Sequence, residues 1–180
     1  MKKVLLLLFP FAFLFGCATA GDPSDSDYLR KSYGIPTDYR ETEDEMTGVK
    51  RIISPGIILY NASVGWNNTG MWWGIEEKDG ERSAVLIVQA RLSSWSFFEA
   101  IYIKIGEEVM HFSEDKVNLQ YERDVISGGD VREFLVATMD LDTMRKIIQA
   151  ESFKISIRGS KGKQDYTVPK QEIWESLVDK

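Results

Sequence analysis

Few side chains in this sequence could carry out nucleophilic or acid–base chemistry. Among 180 residues there is one histidine, His111, and one cysteine, Cys17. Most zinc sites, Cys–His catalysis and an internal disulfide are therefore excluded for a single chain. Ser113 lies two residues after His111 and could share its face of a strand, but no Gly-x-Ser-x-Gly motif accompanies it. We therefore interpret His111 as a structural histidine and expect no catalytic residues and no enzymatic activity.

Acidic residues are plentiful but show no diagnostic spacing. With 28 Asp and Glu residues, the two carboxylates of a glycosidase are available in almost any fold, so their presence is uninformative. Glu107-Glu108 and Glu114-Asp115 could bind a hard cation, but they lack EF-hand spacing and favour a solvated acidic face. Residues 127–130, Ser-Gly-Gly-Asp, lack the lysine and following helix of a phosphate-binding loop and predict a turn. We expect neither a metal nor a cofactor.

The tryptophans are more informative, because four of them lie within thirty residues. Trp72 and Trp73 are adjacent, so on a strand they point to opposite faces, and one leaves the core unless both faces are covered. Short polar residues nearby, including Asn61 and Thr69, could hydrogen-bond a sugar or a peptide backbone. The candidate ligand- or partner-binding residues are therefore Trp66, Trp72, Trp73, Asn67 and Asn68.

A competing interpretation places the tryptophans inside the protein. A sandwich with both sheet faces packed would bury all four of them, and that alternative stays open. For Trp95, Phe97 and Phe98 we expect core positions, because Ser93, Ser94 and Ser96 supply the polar alternation of a strand.

The N-terminus has the layout of a signal peptide. Lys2 and Lys3 precede an apolar run from Val4 to Phe15, which is shorter than the roughly 20 residues of a membrane span. The run ends in Leu14-Phe15-Gly16-Cys17.

This ending resembles the lipobox of bacterial lipoproteins, with Phe15 bulkier than usual at its position. The resemblance implies acylation of Cys17, which becomes the mature N-terminus and anchors the protein in the lipid bilayer. Ala18 stands where an aspartate would favour the inner membrane of Gram-negative bacteria, which implies the periplasmic face of the outer membrane. Predicted boundaries are a signal peptide over 1–16 and a lipid anchor and acidic linker over 17–45.

Removal of the signal peptide takes away two lysines and no acid. The mature chain then has 20 basic and 28 acidic residues, a net charge of −8. An acidic domain is a poor binder of nucleic acid or anionic headgroups, so we expect no nucleic-acid partner. Tyr28, Leu29, Tyr33, Ile35 and Tyr39 interrupt the linker. They form either a segment packed on the domain or a partner-binding segment.

Residues 46–180 predict one β-rich domain. Strands are indicated at 49–54, 57–62, 71–76, 83–92, 100–105, 118–125 and 132–139 by alternating or continuous apolar runs and intervening turns. Asp140 is placed to cap a helix bearing Leu141, Met144, Ile147 and Ile148. A hairpin follows around 159–163, and Pro169 suits the first turn of a final helix carrying Ile173, Trp174, Leu177 and Val178.

The predicted fold is α+β: an antiparallel sheet or sandwich of seven to nine strands with two short C-terminal helices. The predicted function is that of a non-enzymatic accessory or adaptor domain for an envelope protein partner. A glycan-binding module, or an inhibitor of envelope hydrolases, using residues 61–73 is the alternative. A hydrolase that uses only carboxylates is a third and weaker possibility.

Overall fold

A computed structural model describes residues 27–61, 65–116, 118–126 and 128–179. These residues form two antiparallel sheets with a few short helices. The large sheet has the order β1-β2-β4-β5-β9-β8, with β3 also paired to β4, and the small sheet has the order β11-β10-β6-β7. The strands are β1 (Arg40–Glu43), β2 (Lys50–Ile53), β3 (Ile57–Asn61), β4 (Gly65–Lys78), β5 (Glu81–Leu92), β6 (Phe98–Ile105), β7 (Glu108–Ser113), β8 (Leu119–Val125), β9 (Val131–Met139), β10 (Ser152–Gly159) and β11 (Gly162–Pro169).

The two sheets pack face to face around one main core. Alternate residues of β9 are buried from Val131 to Met139, as the period of a half-buried strand requires. The small sheet supplies fully buried isoleucines from β6 and β10, and the large sheet supplies Trp73 and Leu86. The arrangement is therefore a β-sandwich, mainly antiparallel, as the sequence indicated in outline.

Helices close one end of the sandwich. Helix α2 (Leu141–Gln149) begins as predicted, since the amide of Thr143 donates to Asp140 Oδ1 at 2.7 Å, and it buries Met144, Ile147 and Ile148. A 3-10 turn (Glu172–Trp174) leads into the single-turn α3 (Glu175–Val178). Trp174 is buried, and its Nε1 donates to the carbonyl of Pro55 at 2.8 Å.

Pro169 is placed differently from the sequence-based expectation. It ends β11, paired with Ser152, and does not begin the last helix. β11 is an edge strand, where a residue without an N–H is tolerated. The expectation that Pro169 starts a helix is therefore wrong.

The outer face of the large sheet is covered by the chain's own N-terminal segment. Helix α1 (Asp27–Tyr33) and the residues after it lie over Trp72. The side-chain Nε2 of Gln89 donates to the backbone carbonyl of Tyr33 at 2.5 Å. We call this second apolar group the outer cluster: Leu29, Tyr33, Ile35, Ile53, Ile58, Trp72, Ile87 and Phe134.

Ile35 seats this segment because two glycines leave room for it. A Cβ at Gly56 or at Gly70 would overlap the side chain of Ile35, which is 3% exposed. The amide of Gly56 donates to the carbonyl of Pro36 at 2.8 Å, and Arg30 Nη1 donates to the Gly56 carbonyl at 3.1 Å. The segment therefore packs on the domain, the first of the two alternatives that the sequence left open.

Three further differences follow from this docking and from long-range pairing. The folded part begins before residue 46, because α1 and β1 lie within the segment assigned to a linker, and β1 pairs with β2. The described residues form eleven strands, more than the seven to nine expected, since β1 was missed and only the end of β7 was anticipated. β4 spans 14 residues, because its two halves pair with different strands, β3 and β2, on one side.

Candidate functional site

The two adjacent tryptophans of the predicted binding stretch are inside the protein. Trp73 is 0% exposed and meets Trp174 edge to face, with ring centroids 6.2 Å apart. Trp72 is 6% exposed and lies in the outer cluster. The expectation that one of them binds a ligand is corrected, because the sheet is covered on both faces at this point.

The other predicted residues of that stretch have a described backbone only. Trp66, Asn67 and Asn68 lie in the first half of β4, and their side chains are outside what the structure describes. Cys17 and the whole segment before Asp27 are outside the described residues. The lipidation site therefore stays a prediction from the lipobox.

Most of the residues considered for catalysis or cation binding contact other parts of the domain. The ring of His111 stacks on Tyr102, with centroids 4.2 Å apart, and the side chain of Ser113 is buried. Glu108 pairs with Lys146, and Glu107 lies 3.8 Å from Lys104 Nζ. Within the described ranges, no three His, Cys, Asp or Glu side chains are grouped so that they could hold a metal ion.

Another surface lies at the loop that connects β5 to β6, and several hydrogen bonds hold this loop in place. The carboxylate of Glu133 on β9 accepts hydrogen bonds from three consecutive backbone amides of this loop. They come from Ser96 at 2.6 Å, Phe97 at 3.0 Å and Phe98 at 2.8 Å. Glu133 is 1% exposed, so this buried carboxyl group fixes the loop from inside.

The loop holds Phe97 in a conformation that non-glycine residues rarely adopt. Its φ is 51°, in the left-handed region, and its ring is 39% exposed. The hairpin turn of β10 and β11 closes against the same loop, since a Cβ at Gly159 would meet the carbonyls of Ser96 and Phe97. Such strain persists only where surrounding structure imposes it, and it tends to occur at functional positions.

Arg123 links the buried Glu133 side chain to the surface. Its Nε lies 3.5 Å from Glu133 Oε2, and its Nη2 donates to the carbonyl of Phe98 at 3.0 Å. Its guanidinium lies 4.2 Å from the ring centroid of Tyr121 and 5.4 Å from that of Phe97. The side chain is therefore held by an ion pair on one side and by aromatic rings on the other.

The resulting patch combines exposed aromatic rings with fixed cations. Tyr121 is 41% exposed, Trp95 lies 6.2 Å from Phe97 between ring centroids, and Lys161 Nζ lies 5.7 Å from the Phe97 ring. We call these five residues the Phe97 surface: Trp95, Phe97, Tyr121, Arg123 and Lys161. Trp, Tyr and Arg side chains held rigidly at a surface are the usual composition of a protein-binding hot spot.

Sequence reasoning missed this site for an identifiable reason. Phe97 was expected in the core on the basis of serine alternation, which assumes a continuous strand. β5 ends at Leu92 and β6 begins at Phe98, and the left-handed turn at Phe97 directs that ring outward. Phe98, by contrast, is buried as predicted, and Trp95 is half-buried.

No protein-family model matches this chain, and no curated protein matches it. Among the helices of the described ranges, none combines the length and the apolar character that crossing a membrane requires.

Proposed function

We propose that this protein is a lipoprotein of the Gram-negative envelope, acylated at Cys17 and held at the periplasmic face of the outer membrane. Its sandwich acts as a non-enzymatic accessory domain that binds an envelope protein. Support for the anchor comes from Leu14-Phe15-Gly16-Cys17 and from the apolar run before it.

The lipid anchor limits the distance from the membrane at which the domain can bind a partner. Asp27, where the described chain begins, is ten residue steps after Cys17, and a fully extended chain spans at most about 3.5 Å per step. The first helix therefore stays within about 35 Å of the lipid. This reach is that of a short tether, and it favours a partner at or near the membrane.

The observation that carries the partner-binding proposal is the Phe97 surface. A buried carboxylate, Glu133, holds three amides so that Phe97 is presented outward despite its strained backbone. Part of Phe97 stays in contact with solvent, although full burial of such a side chain contributes more to folding, about 1.5–3 kcal/mol in all. Rigid presentation of aromatic rings beside Arg123 lowers the entropy lost on binding a protein.

The glycan-binding alternative rests on fewer residues than the sequence indicated. Trp72 and Trp73 are enclosed, so a glycan site in that stretch would depend on Trp66, Asn67 and Asn68. The experiment below distinguishes protein binding from glycan binding. A crosslinked protein partner yields peptides that identify it by mass spectrometry, whereas a glycan yields none.

The test is site-specific photocrosslinking in cells with the full-length chain. A photoreactive phenylalanine analogue replaces Phe97 or Tyr121, and, as a matched control, Met46. Met46 is 94% exposed and lies between β1 and β2, at the edge of the large sheet opposite β8. We expect one envelope protein to be crosslinked from positions 97 and 121 but not from 46. Capture of the same proteins from all three positions would contradict a specific site.

Binding is then measured with variants that leave the fold intact. Phe97→Gly removes the ring and suits the left-handed backbone, so the loop should stay in place. Loss of a hot-spot ring costs about 2 kcal/mol or more, which is about thirtyfold in affinity, while Met46→Ala should have no effect. Unchanged affinity of both Phe97→Gly and Tyr121→Ala would overturn the assignment.

Anchoring is tested separately from partner binding. Cys17→Ser should abolish incorporation of labelled palmitate and release the protein from the membrane fraction. Equal labelling of the variant and the wild type would refute acylation at this residue, whatever the crosslinking shows.

A further inference from the structure

The outer face of the small sheet contains a groove that the proposed function does not use. It has a volume of about 410 Å³ and crosses β11, β10, β6 and β7. We call it the basic groove, and its polar lining comes from Tyr102, Lys104, Lys154, Ser156, Arg158, Asp165 and Thr167. Its volume is in the range of sites for small-molecule ligands.

One side of the groove is a stack of three side chains. Tyr102 on β6 lies between His111 on β7 and Arg158 on β10. The Tyr102 and His111 rings are 4.2 Å apart and inclined by 7°, and Arg158 Cζ lies 4.2 Å from the Tyr102 ring centroid. Stacking fixes the planar guanidinium and so lowers the entropy it would lose on binding an anion.

The other side presents two lysines that face each other across strands. Lys104 and Lys154 are direct cross-strand partners in the pairing of β6 with β10. Like charges in this position destabilise a sheet, and an anion bound between them would remove the repulsion. Lys154 forms no ion pair with any residue that the structure describes, while Lys104 has Glu107 at 3.8 Å at the solvent side.

The one carboxylate in the groove is already engaged. Asp165 accepts from Lys163 Nζ at 2.6 Å, and this contact, with a hydrogen bond from Ser156, holds the pKa of Asp165 below its ordinary value. Lys163 is the direct partner of Asp165, and Arg158, the cross-strand partner of Lys163, also attracts this carboxylate. A ligand in the groove would meet Lys154, Arg158 and Lys104, whose contact with Glu107 is long and lies at the solvent side.

From these contacts we infer that the basic groove binds the phosphate group of a small phosphate ester. A phosphate monoester carries a charge of about −1.5 to −2 at neutral pH, which the three cations can neutralise. Arg158 supplies a planar fork for two phosphate oxygens, and the two lysines act as point charges. The remaining space would hold the organic part against the exposed side chain of Val109.

The inference does not rest on the proposed function, because the basic groove and the Phe97 surface share no residue. It also fits the anchor geometry, since α1 covers the opposite outer face of the sandwich. A groove on the side away from the tether would be open to soluble ligands.

The test is titration of the soluble chain with inorganic phosphate and with glucose 6-phosphate, followed by backbone amide NMR at constant ionic strength. We expect saturable shifts confined to β6, β10 and β11. Lys154→Gln and Arg158→Gln should each weaken binding about tenfold or more, since each removes at least one charge-assisted hydrogen bond. Lys78→Gln, an exposed lysine on the large sheet, is the matched control and should change nothing.

Three outcomes would overturn the inference: no saturable shift, equal weakening by Lys78→Gln, or equally strong binding of acetate. Vesicles of pure phosphatidylglycerol distinguish the source of the phosphate. Vesicle binding that is lost in Lys154→Gln assigns the groove to lipid headgroups. Binding of glucose 6-phosphate alone assigns it to a soluble ester, and both results support phosphate recognition.

Discussion

The two outer faces of the sandwich show opposite ways of completing a β-sheet. On the large sheet, Trp72 lies under the chain's own N-terminal segment, and Ile35 fits over Gly56 and Gly70. On the small sheet, Tyr102 stands between Arg158 and His111 and faces the solvent. Each face therefore has an aromatic ring at its centre. Trp72 is covered, because two glycines leave space for the N-terminal segment, and Tyr102 is open to solvent.

This difference indicates where stability and binding reside. The covered face contains apolar contacts and a neutral hydrogen bond from Gln89, so its residues contribute mainly to folding. The open face has cations directly opposite one another, an arrangement that does not favour folding. We therefore expect substitutions on the covered face to lower the free energy of unfolding more than substitutions on the open face.

The largest effect should come from removing the cover. A soluble chain that begins at residue 46 lacks α1 and β1 and exposes Ile58 and Trp72 to water. Full burial of an apolar side chain such as Ile35 contributes about 1.5–3 kcal/mol, and the partly buried Leu29 and Tyr33 contribute less each, so the loss is on the order of 5 kcal/mol. A domain of this size has about 5–15 kcal/mol in total, and the truncated chain should be largely unfolded or aggregated.

Urea unfolding of this chain, compared with one that begins at residue 27, measures the effect. Tryptophan fluorescence reports the exposure of Trp72 in the same experiment. Equal urea midpoints for the two chains would mean that the N-terminal segment is dispensable, and the contrast between the faces would lose its basis.

The two central aromatic rings provide the next comparison. Trp72→Ala should lower the free energy of unfolding by about 3–5 kcal/mol, because it leaves a cavity in the outer cluster. Tyr102→Ala should cost about 1 kcal/mol, because its ring is only partly buried and loses contacts with Arg158 and His111. Both are measured by urea unfolding, and similar losses for the two variants would contradict the assignment of the open face to binding.

A smaller effect tests how Ile35 fits over the sheet. Gly70→Ala should cost about 1–3 kcal/mol, since the added methyl overlaps Ile35. In an Ile35→Ala background the overlap is gone, and the same change should cost about 1 kcal/mol less. Gly74→Ala is the control, because its methyl would meet Val85 and should cost the same in both backgrounds.

The elements that could be predicted from the sequence are those with a local signal. The cap at Asp140, the stripe of Met144, Ile147 and Ile148, and the hairpin around residues 159–163 all follow from spacing alone. The continuous apolar run at 83–92 also predicted a strand, and the structure has β5 there, with Val85, Leu86 and Val88 buried.

The missed features depend on contacts between distant residues. Glu133 lies more than 30 residues from the amides that it binds, and Ile35 lies 35 residues from Gly70. The segment 27–43 is mostly hydrophilic, yet it packs on the domain because Leu29, Tyr33 and Ile35 contact the large sheet. The average composition of the segment does not reveal these three residues. Glycines inside strands, such as Gly70, are the one sequence mark of such a close approach.

The smallest effect concerns pH and should be confined to the open face. Lys163 donates to Asp165, and this contact lowers the pKa of that carboxyl in the folded state. A carboxyl whose folded pKa is depressed stabilises the fold above its unfolded pKa, near pH 4, and loses that contribution as the pH falls through the folded value. The pair is exposed, so Asp165→Asn should cost well under about 1 kcal/mol at pH 7 and less than that at pH 2. The matched change on the covered face, Gln89→Ala, removes an uncharged hydrogen bond, so its cost should be the same at both pH values.

Urea unfolding of the wild type and the two variants at pH 2 and pH 7 makes the comparison. A pH-dependent cost for Gln89→Ala, or a pH-independent one for Asp165→Asn, would mean that the electrostatics of the two faces are coupled through the core.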